Sequence, residues 1–428
     1  MIRSRTFSAL RNPDYRRFYV GQGISLIGTW LQGAAVNWIV FEKTRSEAML
    51  GIVGAAGLLP GLFVGLFAGV LADWFVPRRL IVLMELGQML LAFVLAALIG
   101  LGRVEIWHLI VILVLTRICS TFEIPSRQVF LYDVVGRAEL SNAIALNSGL
   151  FNASRVIGPA LAGVIFAGLG ATACFVLNGA SYLAAIIAIL AIRLPPRSSP
   201  RAARGLREIL GGFAYIGSDR KVLILFLLMA GFGILGMGYD SMIPAYASRV
   251  VRTGVEGYSV LLASSGAGAT VGALTVASLG RLDRKERLVL AGLFVFAVAL
   301  VASAVLPEWV GQRTPHPARL LTASLCLFGV GFGAVLFYSV AQTIIQNVLP
   351  DQLRGRVMAI WLIGYSGSVP LGALWTGRLA KSQGVTFAMA VSALLCVALG
   401  LGGAVAWLAP RSAPLPPPRP SSPDESAG

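Results

Sequence analysis

Apolar runs of about 20 residues, each long enough to cross the hydrocarbon core of a bilayer, alternate along this chain with short polar breaks. They fall near residues 18–40, 48–72, 80–101, 107–127, 142–168 and 171–192, and then near 222–247, 257–279, 288–306, 320–349, 357–379 and 385–408. Runs this long and this poor in charge predict helices, because only a helix satisfies its own backbone hydrogen bonds in lipid. The pattern therefore predicts an all-α membrane protein with twelve transmembrane helices.

The polar breaks organise the runs. Residues 1–17 carry five arginines and read as a basic, amphipathic cytoplasmic lead-in. No small-residue cleavage site precedes the first run, so an uncleaved first helix is expected rather than a signal peptide. The longest break, 193–221, is rich in Pro and Arg and separates an N-terminal bundle (18–192) from a C-terminal bundle (222–408). Within it, residues 205–215 have the composition of a helix lying on the membrane surface. The tail, 409–428, is Pro- and Ser-rich and is expected to be disordered and cytoplasmic. With the N-terminus inside, the cytoplasmic segments hold 24 Lys and Arg and the opposite segments 9, which puts both termini in the cytoplasm of a cell that carries the protein in its plasma or inner membrane.

Composition narrows the function classes. Of 428 residues 57% are hydrophobic and 13% charged, against roughly 25% charged in a soluble domain. The net charge of +16 sits between the apolar runs, so it reports membrane topology and argues against a nucleic-acid partner. Cys119, Cys174, Cys326 and Cys396 all lie inside apolar runs and read as small buried hydrophobes, with no disulfide framework or metal motif. The two histidines, His108 and His316, sit at a helix start and in a loop, with no His-Glu-x-x-His pattern, and no Gly-x4-Gly-Lys-Ser/Thr loop is present. An intramembrane enzyme and an ATP-driven pump both lack their chemistry, and neither a metal nor a cofactor is expected.

The loop after the second run reads Gly69-Val-Leu-Ala-Asp73-Trp-Phe-Val-Pro-Arg78-Arg79. It resembles the signature loop of the major facilitator superfamily, between the second and third helices on the cytoplasmic side. The resemblance implies that Asp73 sits against the N-terminus of a helix in the same half, where the dipole favours a carboxylate, and that Arg78 and Arg79 stay at the headgroup level. Gly69, Asp73, Arg78 and Arg79 would then latch one face of a transporter and release when its halves rock. Trp74, Val76 and Pro77 depart from the family pattern. A generic positive-inside loop with a helix-ending Asp is the plainer alternative.

Two six-helix halves are what that fold implies, and a faint repeat agrees. Gly158-Pro-Ala-Leu-Ala-Gly163 lies 214 residues before Gly372-Ala-Leu-Trp-Thr-Gly377, and Glu139-Leu-Ser-Asn-Ala stands at the same offset from Leu353-Arg-Gly-Arg-Val. The expected fold is thus two pseudo-symmetric six-helix bundles. Asn12-Pro-Asp-Tyr-Arg-Arg-Phe18, Ile24-Ser-Leu-Ile-Gly-Thr-Trp30, Pro125-Ser-Arg-Gln128 and Arg354-Gly-Arg-Val-Met358 resemble the drug–proton antiporter branch related to enterobactin exporters and macrolide efflux proteins. That resemblance, over residues 10 to 408, implies a proton-coupled exporter of amphiphilic small molecules. It also implies antiporter roles for Arg117, in the fourth helix, and for Gly158, Pro159 and Gly163, in the fifth. There the glycines permit close packing and the proline bends the helix. An ordinary small-residue packing seam accounts for the same glycines.

Ionisable side chains inside spans are costly and mark function by default. Arg117 lies about 15 Å deep, near the midplane. It is placed to bind an anionic group or to hold a carboxylate charged; a structural arginine bonded to backbone carbonyls is the alternative. Arg155 shares a helical face with Ser148 and Asn152. Gln22, Ser25, Thr29 and Gln32 form a polar stripe on the first helix that either lines a substrate path or bonds to neighbouring helices. Ser339, Gln342 and Gln346 repeat it on the tenth. Trp30, Trp38, Phe151, Tyr338 and Trp361 are aromatic candidates for ligand contact.

Among the carboxylates, Glu85 is the favoured proton carrier, with snorkelling or an arginine partner as alternatives. Glu123, four residues before Arg127, reads as an ordinary ion pair. Asp240 is expected near the outer surface, within reach of water. Competing readings are a lysophospholipid or metabolite carrier of the same fold and, outside transport, a membrane receptor.

Overall fold

The computed structural model describes residues 5–72, 75–193, 214–278, 285–311 and 316–408, and every regular element among them is helical. Ten of the described helices are long and apolar enough to cross a bilayer. Asp73, the loop residues 194–213 that hold most of the expected surface helix, and the tail 409–428 lie outside the described residues.

Helix α1 (Pro13–Thr44) starts five residues before its apolar run, for a local reason. Asn12 caps it, accepting from the N–H groups of Asp14 (2.9 Å) and Tyr15 (3.3 Å), and Pro13 occupies the first helical position, where a missing N–H costs nothing. The lead-in folds as a 3-10 turn, Arg5–Arg11. It is docked rather than free: Ser8 donates to Glu139 (2.5 Å), the Ala9 N–H to Asn142 (2.9 Å) and Asn12 to the Val134 carbonyl (2.9 Å).

Helices α2 (Glu47–Ala72) and α3 (Pro77–Gly100) follow, and then α4 (Ile106–Leu169), 64 residues long. A straight helix of that length would run about 96 Å, some three times the hydrocarbon thickness. Gly136 breaks it into two arms with φ 68°, ψ 179°, a conformation open to glycine. The sequence pattern predicts a loop over 128–141. Instead both arms stay helical up to that glycine, and the lead-in packs against the bend through Tyr15, Phe18, Phe130 and Leu131. The helix runs on through Pro159, so the backbone break in α4 is at Gly136 rather than at the proline.

After α5 (Ala171–Ala191), the expected seventh span divides. Helix α6 (Arg220–Leu235) ends at Gly236, and α7 (Tyr239–Tyr246) runs into a π-helical turn, Ala247–Val251. Gly238 lies in the break against the Gly372 carbonyl, 2.5 Å from where a Cβ would stand. The chain then forms α8 (Val255–Ser278), α9 (Lys285–Gly311), α10 (His316–Val348), α11 (Asp351–Gln383) and α12 (Val385–Leu408).

The helices before and after residues 194–213 meet through α2 against α11 and α4 against α8. Small residues permit both approaches. A Cβ on Gly377 would stand 2.8 Å from the Glu47 carbonyl, and one on Gly163 would stand 2.6 Å from Ser259 Cβ. Gly266 carries the α4–α8 contact inward to the Arg155 carbonyl, and the contacts of Gly377 and Gly163 lie near the face where α1 ends and α2 begins. There Arg249, in the π-helical turn, pairs with Glu47 at 2.9 Å and donates to the Arg45 carbonyl at 2.7 Å. Glu47 is buried and Arg249 half exposed.

Candidate functional site

Helical spacing brings the polar groups of α3 and α4 into register. Glu85 and Gln88, three apart, share one face of α3, and Glu123 and Arg127, four apart, share one face of α4. Packing the two faces together joins them. Arg127 pairs with Glu85 at 3.2 Å and also contacts Glu123, while Gln88 donates to the second Glu123 oxygen at 2.7 Å. The two glutamate side chains are 0% and 5% exposed, so two carboxylates share one arginine with almost no water around them. The Tyr182 hydroxyl of α5 donates to Gln88 (3.4 Å) and exchanges a hydrogen bond with Thr29 of α1 (3.4 Å). Four helices are thereby tied to one buried network.

Beside this network lies a cavity of ≈ 490 Å³, walled by α1, α3, both arms of α4, and α5. Gln22, Ser25 and Thr29 line it, with Arg117, Glu123, Arg127, Ser148 and Asn152. Gln32 lies outside it, accepting from Asn178 at 2.8 Å, so the α1 stripe serves both roles left open by the sequence. Arg117 likewise divides. Its Nε donates to the Gly57 carbonyl of α2 (2.9 Å), its stem lies over Gly61, and the side chain faces the cavity.

Two further charged side chains, Arg155 and Asp240, lie on helices of the two sets. Arg155, on the second arm of α4, sits 5.8 Å from the centroid of the Trp30 ring, within cation–π range. Asp240 stands in the first turn of α7, within electrostatic reach of Arg155, as do Tyr239 and Tyr365. Asp240 is partly buried beside these groups.

The remaining expected residues scatter. Arg78 donates to the Leu190 carbonyl of α5 at 2.6 Å, Arg79 is exposed, and Gly69 falls within α2. Gly158 packs on α1, its would-be Cβ 2.5 Å from Trp30 Cβ and 2.8 Å from the Ile27 carbonyl, whereas Gly163 packs across on α8 and Pro159 is buried between them. Ser339, Gln342 and Gln346 lie on α10, away from the cavity lining. Trp30 and Phe151 meet edge to face at 5.6 Å, and Tyr338 pairs with Tyr365 at 5.1 Å; Trp38 stacks on Tyr258, and Trp361 is fully buried.

Sequence reasoning read Glu123 and Arg127 as an isolated pair and did not single out Gln88, Asn178 or Tyr182. Gln88, one helical turn beyond Glu85, was the available signal. Nothing in the sequence distinguishes Tyr182 from other aromatics of an apolar run.

The chain is similar to known membrane transporters over most of its length. A family model described as transmembrane secretion effector matches residues 4–413. The chain is 24% identical to a staphyloferrin A transporter of Staphylococcus aureus, over 89% of this chain and 94% of that protein. It is 27% identical to the multidrug efflux pump Tap of Mycolicibacterium fortuitum, over 89% and 91%, and 21% identical to macrolide efflux protein A of Streptococcus pyogenes, over 89% and 93%. Among solved structures, an inward-facing bacterial homolog of the human lysosomal transporter Spinster superposes with TM-score 0.71 at 16% identity, covering 92% of this chain and 96% of that one. The nucleoside transporter NupG does so with TM-score 0.68 at 14%, covering 93% and 100%. At these identities the solved structures speak to the fold alone.

Proposed function

We propose that this chain, which belongs to the major facilitator superfamily through its transmembrane secretion effector family, is a proton-coupled exporter of amphiphilic small molecules working by alternating access. A multi-pass membrane transporter is common ground with its relatives, which include efflux pumps; the coupling and the cycle are our reading.

The observation that carries it is the pair of buried carboxylates, Glu85 and Glu123, sharing Arg127 at the wall of the cavity. Two acids and one base leave a net negative charge that a single proton cancels. In a site with almost no water the neutral form is strongly favoured over an uncompensated charge. The cluster therefore takes up a proton when it communicates with one face and gives it up when it communicates with the other. Neighbours within hydrogen-bond distance, Gln88 and through it Tyr182 and Thr29, carry that change to α1. Arg117 is the cationic anchor for a polar or anionic group of the substrate, with Gln22, Ser25, Thr29 and Asn152 as neutral hydrogen-bonding partners. Asp240 and Arg155 form a second site of charge between the halves.

In this reading residues 18–192 and 222–408 are the two rocking units. Ser339, Gln342 and Gln346, outside the cavity in this arrangement, join the substrate path from the second when the halves rock. Gly158, Pro159 and Gly163 form the seam on which α4 slides, and the Gly69–Arg79 loop latches the cytoplasmic face, where both termini lie. The halves meet near the other face, so the arrangement corresponds to an inward-open state.

Efflux of ethidium and of a macrolide from cells expressing the protein, with an uncoupler added midway, tests the reading. Export that stops with the uncoupler, and that is lost in Glu85→Gln and Glu123→Gln, is the expected result. Export that continues after the proton gradient has collapsed refutes the coupling. Retention of both compounds by cells with the protein in their membrane refutes the drug-export reading.

A further inference from the structure

A groove of ≈ 460 Å³ opens on the lipid-facing side of the first half, between the start of α3 and the end of α5, and the transport reading uses only the two arginines at its rim. Two arginines, Arg78 and Arg79, stand at its mouth, and its walls are Val82, Leu83, Leu86 and Leu190. The spacing is what builds it. Arg79, Leu83 and Leu86 fall at i, i+4 and i+7, with Arg78 and Val82 alongside, so one face of α3 is cationic at its end and apolar for the next two turns. Leu83, Leu86 and Leu190 are 58%, 41% and 55% exposed, open to the bilayer.

Three features make the mouth a site for an anion. Arg78 is fixed there by the Leu190 carbonyl at 2.6 Å, which uses one of the five donors of a guanidinium and leaves four for a ligand. Among the described residues no acid lies within ion-pair distance of either arginine. The first turn of α3 also has no side-chain cap, because its cap position is Val76 and its first residue is Pro77, so the first-turn N–H groups add to the positive field. A soluble anion would account for the mouth but not for the apolar trough beneath it, which runs about 12 Å from Arg78 to Leu86.

We propose that this groove holds one anionic phospholipid of the bilayer, its phosphate between Arg78 and Arg79 and one acyl chain laid along Val82, Leu83 and Leu86 against Leu190. The bound lipid bridges α3 to α5 at the membrane surface, next to the loop that joins α2 to α3. Selectivity comes from the headgroup, because an acyl chain leaving bulk lipid for an apolar groove gains little by the transfer.

Native mass spectrometry of the purified protein in detergent, titrated with phosphatidylglycerol or with phosphatidylcholine of the same chains, tests this. The wild type is expected to retain one phosphatidylglycerol in preference to phosphatidylcholine. Arg78→Gln and Arg79→Gln should each weaken that first binding event about fivefold and together about 25-fold. Leu83→Trp, which fills the trough and spares both arginines, should weaken it as well. Arg287→Gln, removing an exposed arginine at the start of α9, should leave it unchanged. Thermal midpoints matching the wild type would show that each variant is folded. Equal retention of the two lipids by the wild type, or an undiminished phosphatidylglycerol adduct in the double arginine variant, would overturn the site. Undiminished binding in Leu83→Trp would overturn the acyl trough.

Discussion

Arg127→Gln is the substitution that separates the charge cluster from an ordinary polar core. It removes the one cation shared by Glu85 and Glu123 and leaves two carboxylates that are 0% and 5% exposed. Removing one partner of a buried ion pair costs about 3–5 kcal/mol. The alternative, neutralising the acids with protons, is no cheaper at pH 7: an ordinary glutamate carboxyl has a pKa of about 4.3, so each proton bound costs about 3.7 kcal/mol. Either route predicts a loss of at least about 3 kcal/mol at neutral pH. Glu123→Gln should behave in the opposite way. It leaves Glu85 and Arg127 as a matched pair and keeps an acceptor for Gln88, so its stability should stay within about 1 kcal/mol of the wild type while proton-driven export is lost.

The cysteines supply the assay. Cys174, Cys326 and Cys396 are buried and Cys119 is partly so, so a thiol-reactive fluorophore reports thermal unfolding in detergent. At pH 7 the expected order of midpoints is Arg127→Gln far below a closely spaced wild type and Glu123→Gln. The triple variant Glu85→Gln, Glu123→Gln, Arg127→Gln, which carries no charge, should recover most of the loss. Lowering the pH to 5 reduces the protonation cost by about 2.7 kcal/mol per acid, so Arg127→Gln should gain on the wild type in acid. If Arg127→Gln is as stable as the wild type at pH 7, or Glu123→Gln is as damaging as Arg127→Gln, the charge argument is wrong.

Arg117→Ala should reduce efflux at least tenfold with little change in the thermal midpoint, because the side chain faces the cavity and gives up only its bond to the Gly57 carbonyl; a stability loss as large as that of Arg127→Gln would make it a structural arginine. Gly158→Ala sets a methyl 2.5 Å from Trp30 Cβ, and the overpacking should cost about 1–3 kcal/mol despite the better helix former, as read by the same unfolding assay. Glu47→Gln removes a pair whose arginine is half exposed, a loss of about 1–2 kcal/mol on the face where the halves meet. Disulfide formation between cysteines placed at Gly54 and Ala373, where a Cβ on the glycine would stand 3.7 Å from Ala373 Cβ, the separation a disulfide needs, should fall in that background, and unchanged cross-linking would show that the pair does not hold the face shut.

Much of the architecture was legible because the bilayer imposes a length. A run of about 20 apolar residues has few other fates, and the expected spans fall on described helices. The misjudged places are those where one or two glycines decide the backbone. Nothing in residues 128–141 announces a continuous helix on either side of Gly136, since their mixed polarity reads as a loop until the lead-in is seen packed against them. Gly236 and Gly238 stand inside an apolar run, and the apolar count read straight across the break they make. At the site, i,i+4 spacing identified Glu123 with Arg127. It could not say that Glu85 completes the same cluster, because that depends on the rotational setting of α3 against α4, a tertiary fact with no local signature.

The cluster and the interface between the halves lie in different parts of the molecule, so coupling requires a physical connection between them. One is present along α1. Thr29 bonds to Tyr182, which reaches Gln88 and the carboxylates, and its neighbour Trp30 presents its ring to Arg155 and its Cβ region to Gly158. Arg155 in turn stands within electrostatic reach of Asp240 at the start of α7, across the interface and just beyond the Gly236–Gly238 break. A shift of α1 would therefore bear on Arg155 and, through its field, on Asp240. It would do so where the second half is already jointed by glycine. Closely packed interiors switch between discrete arrangements rather than deforming smoothly, and the absence of a Cβ at Gly158 removes the side chain that would otherwise separate α1 from α4. In this arrangement Gly158 acts as a spacer, setting how closely α1, which reaches the carboxylate cluster through Thr29, sits against α4.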